Sequence, residues 1–81
     1  MPYIEPHARE QLDLLMRHPT TAGELNYLLT RLCHNYRITK GLSYQTCNDI
    51  LGALEGAKQE FYRRVVAPYE NTKIGENGDV Y

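Results

Sequence analysis

The sequence predicts an all-α protein: a short N-terminal helix plus a long antiparallel helical hairpin, with a short C-terminal arm or mini-hairpin. Three observations carry this reading. Apolar residues recur at spacings of three and four in three separate stretches, as they do in helices that bury one face. Capping residues, together with Pro19, Gly41 and Pro68, punctuate those stretches. Finally, the link between the second and third stretches is so short that the chain is expected to double back on itself.

The first helix is expected from Pro6, whose fixed φ suits the first helical position, to Arg17, because His18 precedes Pro19. Ala8, Leu12, Leu15 and Met16 form its apolar side. Glu5 and Glu10 stand near its start and Arg17 and His18 at its end, the order that the helix dipole favours. The second helix opens on Thr21-Ala22-Gly23-Glu24, a capping box in which hydroxyl and carboxylate serve each other's backbone amides. Leu25, Leu28, Leu29, Leu32 and Tyr36 then line one face as far as Thr39 or Lys40. Gly41 supplies the left-handed residue that ends this helix, and Ser43 caps the next.

In the third helix, expected from Ser43 to Ala67, a seam runs through Tyr44, Cys47, Leu51, Leu54, Lys58, Phe61 and Val65. Such a seam packs helices side by side, and Ile50, Ala57 and Val66 widen it. The helix is expected to end or kink near Ala67, since Pro68 lacks an amide and disfavours α geometry at the residue before it. The organisation is therefore a helical domain over residues 1–67 and an arm over residues 68–81. Within the arm Asn77-Gly78 is a turn signal between Ile74 and Val80-Tyr81, which suits a small hairpin, a docked arm or a frayed tail.

A chain of 81 residues makes one domain, which buries only about 60–65% of the surface of its unfolded chain. Its own core is marginal, so self-association is expected to supplement it. Cys33 and Cys47 lie in helical apolar patterns and are expected to stay reduced. A formal net charge of -1 argues against coating extended nucleic acid, which needs a basic stripe. No apolar run is long enough for a membrane helix, and no signal peptide is recognisable, so a cytoplasmic protein is expected.

Chemistry-bearing patterns are sparse. No Cys/His spacing suits zinc, and Glu24 and Glu55 are followed three residues later by Tyr27 and Lys58, where a di-iron site needs histidine. His7, His18 and His34 are scattered, and Cys33 and His34 point about 100° apart on a helix. Neither a metal, a cofactor nor an enzymatic activity is expected. The best anion candidate is the turn holding Arg37, Lys40, Ser43 and Tyr44, where two cations stand beside a helix N-terminus. It lacks the Walker A spacing, so nucleotide hydrolysis does not follow.

Tyr62, Arg63 and Arg64 form a second cluster some five helical turns away, suited to gripping phosphate and stacking a base or to an ordinary interface. Only a neighbouring subunit could bring both clusters to one small ligand. Gly52 and Gly56 each cost a helix about 1 kcal/mol relative to alanine, a cost usually offset by close approach of helix two or of another subunit. With Asn48, Glu55 and Gln59 beside them, they are the candidate oligomer interface.

The strings GELNY (23–27), GLSYQ (41–45), GALEGAKQEFYRRVVAPYE (52–70) and ENGDVY (76–81) resemble those of a family of short, uncharacterised proteins from bacteriophages and prokaryotic genomes. The resemblance implies a phage or prophage accessory protein and transfers no catalytic residue. The functional expectation is a non-catalytic, homo-oligomeric binding protein that sequesters a nucleotide signal of host defence in the host cytoplasm. The alternative is a factor that modulates a host or phage protein through a tyrosine-rich face.

Overall fold

A computed structural model describes residues 4–81 of the chain. The elements in order are α1 (Pro6–Leu14), α2 (Ala22–Lys40), α3 (Tyr44–Phe61), a π-helical segment (Tyr62–Val66) and α4 (Ala67–Asn77). The all-α class is as expected, with residues 44–77 helical throughout. The chain divides into two units, Met1–Ile50 and Leu51–Tyr81, so the division falls inside α3.

In the first unit, α1 begins as the sequence requires. Glu5 caps it by accepting the His7 amide at 3.1 Å, with Pro6 at the first helical position. It ends at Leu14, three residues before the expected Arg17. The amides of Leu15 and Met16 turn back to the carbonyls of Leu12 and Asp13, a tightened last turn that leaves Arg17 and His18 outside the helix.

The α2 cap is a variant of the expected box. Thr21 Oγ1 accepts the Glu24 amide at 3.0 Å, but the Glu24 carboxylate reaches one residue further back, accepting the Thr20 amide at 2.9 Å and the Thr20 hydroxyl at 3.1 Å. Gly41 closes the helix at φ 84°, with its amide on the Arg37 carbonyl at 2.8 Å. Ser43 then opens α3. Its hydroxyl accepts the Thr46 amide and donates to Thr46 Oγ1, each at 3.1 Å.

Burial among the described residues is sparse. Among the described residues no apolar side chain is buried, and Thr46, at 4% exposure, is the one buried residue. Leu25, Leu29 and Leu32 on α2 are exposed, and Leu28 is half-buried. The side-chain hydrogen bond joining α2 to the opening turns of α3 runs from the Tyr36 hydroxyl to Asp49 at 2.8 Å.

The second unit corrects the C-terminal expectation as well. Helix does not give way after Pro68 to an arm or hairpin; α4 runs through the proline, which sits in its first turn. Proline cannot donate to the carbonyl four residues back and clashes with it. Here the Ala67 amide reaches the Tyr62 carbonyl, five residues back, so a wider turn precedes the ring and lets the helix pass. Continuing an existing helix avoids the nucleation that a separate segment would need. Asn77-Gly78 consequently ends α4: Gly78 has φ 86° and its amide meets the Ile74 carbonyl at 2.8 Å.

Candidate functional site

The cationic turn lies wholly within the first unit. Arg37 and Lys40 occupy the last turn of α2, where positive charge opposes the helix dipole, and among the described residues neither makes an ion pair. Ser43 is committed to its capping role, and Tyr44, at 92% exposure, projects into solvent from the first turn of α3.

Sequence reasoning missed Asp49 in this neighbourhood. Its carboxylate accepts the Tyr36 hydroxyl at 2.8 Å and the Gln45 amide nitrogen at 2.7 Å. These two hydrogen bonds, with Lys40's charge adding less, hold the carboxyl below its ordinary value. The same bond, followed by desolvation and the carboxylate's charge, pushes the Tyr36 hydroxyl up. The spacing of Gln45 and Asp49, four residues on one helix, was a readable signal. The Tyr36–Asp49 link, across the turn, was not. An anion entering beside Lys40 meets this carboxylate, which limits the charge attraction to the outer side of the turn.

The second cluster lies on the π-helical segment of the other unit. Glu60 binds both of its cations, Arg63 at 2.9 Å and Arg64 at 2.7 Å, and those pairs hold the Glu60 carboxyl below its ordinary value, Arg64 contributing most. Tyr62 and Arg63 line an open groove of about 450 Å³ with Glu55, Lys58, Gln59 and Glu60. Two carboxylates against two cations leave this groove without a bias toward anions. Glu60 lies three and four residues before the arginines, a helical pairing that the sequence displays.

The candidate interface residues Asn48, Gly52, Glu55, Gly56 and Gln59 share one side of α3 by the helical step, opposite Leu54 and Phe61. Among the described residues a Cβ built on Gly52 or Gly56 meets nothing within 4 Å. Glu55 is engaged by Gln59 at 3.1 Å and by Lys58 at 3.6 Å. Those two neighbours, Gln59 first, hold its carboxyl below the ordinary value.

A further groove, of about 550 Å³, lies at the approach to α2 between Arg17, His18, Pro19, Gly23, Glu24, Tyr27 and Leu28. Lys73 sits 5.5 Å from the Tyr69 ring centre and 3.3 Å from Glu76. Both cysteines are free, Cys33 half-buried and Cys47 exposed. Among the described residues no group of three or more histidines, cysteines or carboxylates is placed to hold a metal, and no helix is long and apolar enough to cross a membrane.

Comparison with known proteins returns no match among curated proteins or solved structures. Residues 1–80 match a family described as Domain of unknown function (DUF6899), a span that contains almost all of the four strings singled out above. With nearly its whole length covered, the chain belongs to this family.

Proposed function

We propose that this chain is a non-catalytic binding protein that acts as a homo-oligomer. The observation that carries the proposal is that neither unit, taken by itself, buries an apolar side chain among the described residues, although its helices carry apolar stripes. Ordering a chain costs about 1–2 kcal/mol per residue in backbone entropy, which solvated helices with uncovered stripes do not offset. A second chain can cover those stripes. Sedimentation velocity over a concentration series tests this, and a folded monomer throughout would refute it.

The finer reading is that the oligomer takes up a small anionic nucleotide, of the kind that signals host defence, in the setting of a phage or prophage accessory protein. Arg37 and Lys40, free of ion pairs among the described residues and next to an α-helix N-terminus, support it. Titration calorimetry with cyclic and linear nucleotides is the test, with Arg37→Gln abolishing binding while the oligomer persists. Unchanged affinity in that variant, or no heat with any nucleotide, would refute this reading.

A protein partner is the second reading. The neutralisation of Arg63 and Arg64 by Glu60, beside exposed Tyr62 and Tyr69, suits a contact surface better than a phosphate grip.

A further inference from the structure

We infer that Asn77 is a site of spontaneous covalent modification, a deamidation gated by the last turn of α4, which converts that turn from closed helix to open chain. The inference is local to the end of α4 and independent of the oligomeric reading above.

The reactive pair is Asn77 and the main-chain nitrogen of Gly78. That nitrogen gives up its proton to solvent base and bonds to the Asn77 side-chain carbonyl carbon. The bond from this carbon to the side-chain nitrogen breaks, the nitrogen takes up a proton, and ammonia leaves a five-membered imide. Water then opens the ring at either carbonyl, giving aspartate or isoaspartate. No electrons change hands, and water is the only co-reactant. Glycine puts no side chain beside the attacking nitrogen, so the ring closes without hindrance. Asn26, Asn35, Asn48 and Asn71 are instead followed by Tyr27, Tyr36, Asp49 and Thr72, and all four lie inside helices.

Asn77 is the last residue of α4, and the Gly78 amide donates to the Ile74 carbonyl at 2.8 Å. Helical backbone at Asn77 and this hydrogen bond hold the nitrogen away from the side-chain carbonyl. The ring therefore closes only when the last turn opens, and a terminal turn is the part of a helix that opens most cheaply.

The product does not restore the turn. Aspartate at position 77 sets a negative charge against the negative end of the helix dipole, between Glu76 and Asp79. It also stands four residues after Lys73, where it competes with Glu76 for the ammonium group now 3.3 Å from that carboxylate. Isoaspartate adds a methylene to the main chain, which the bond from Gly78 to Ile74 cannot span unchanged. The modification thus shortens α4 by its last turn and adds one negative charge to a chain of net charge -1.

The experiment follows deamidation of the full chain in mildly alkaline buffer, with and without urea, by intact mass and peptide mapping. Gly75→Ala is run in parallel. A Cβ at residue 75 meets nothing within 4 Å, so alanine strengthens the last turn without touching the reacting atoms. Conversion is expected at residue 77 in the native chain, about two- to tenfold slower than in urea because one hydrogen bond must open. Gly75→Ala is expected to slow the native reaction a further two- to fivefold, about the helix preference of alanine over glycine, and to leave the rate in urea unchanged. Asn77→Gln should abolish the mass gain. A native chain that stays intact while the urea sample converts, or conversion centred on another asparagine, would overturn the assignment. Equal native rates in Gly75→Ala and the parent chain would overturn the gating by the last turn.

Discussion

Truncating Phe61 to alanine separates a helix that stands alone from one that is covered by another chain. Phe61 is 60% exposed in the single chain. Burying a whole phenylalanine side chain is worth about 1.5–3 kcal/mol, so covering the exposed part contributes about 1–2 kcal/mol per chain. A symmetric dimer counts that twice, which weakens the dissociation constant by about 20- to 400-fold in Phe61→Ala. Any cavity left in the contact adds to the effect. If α3 stayed solvated, the sign would reverse: alanine is the better helix former, and Phe61→Ala would raise helicity by a few tenths of a kcal/mol. Sedimentation equilibrium gives the dissociation constant, and circular dichroism of the same samples gives the helicity. An unchanged mass distribution with helicity equal to or above that of the parent chain would refute the reasoning.

Further outcomes rest on the local structure. Thr21→Ala removes the acceptor of the Glu24 amide and is expected to destabilise the fold by about 1 kcal/mol in thermal unfolding. Asp49, held below its ordinary value by Tyr36 and Gln45, contributes stability that is present above its unfolded-state value and is lost as pH falls through its folded-state value. Tyr36, held above its ordinary value, contributes stability that is present below its unfolded-state value and is lost as pH rises through its folded-state value. Carbon-13 titration of the Asp49 carboxyl should show its midpoint moving up in Tyr36→Phe. In Pro68→Ala the regained amide is expected to let the π-helical segment tighten to α geometry, read as carbon chemical shifts across Tyr62–Val66.

The sequence carried the helices well because their determinants are local. Thr21, Gly41 and Ser43 act within one turn of themselves, and each does what its residue type and position require. The passage through Pro68 was misread because a proline breaks an α-helix but not a helix whose preceding turn has already widened, and nothing at Tyr62–Val66 announces that widening. Periodicity shows that a face is apolar and not what covers it.

The candidate site was partly readable for the same reason. Arg63 and Arg64 were found as cations, yet Glu60, one turn earlier, decides their availability. Asp49 needed the turn geometry that brings Tyr36 to it. Gly52 and Gly56 were read as a close approach, and among the described residues each Cβ direction is open within 4 Å.

The most direct measurement is the mass and helicity of the unmodified chain across a dilution series, by sedimentation velocity and circular dichroism on the same samples. A core assembled between chains predicts a multiple of 9.4 kDa at high concentration, with helical signal lost as dilution dissociates it. A 9.4 kDa species that keeps its full helical signal at every concentration would contradict the account.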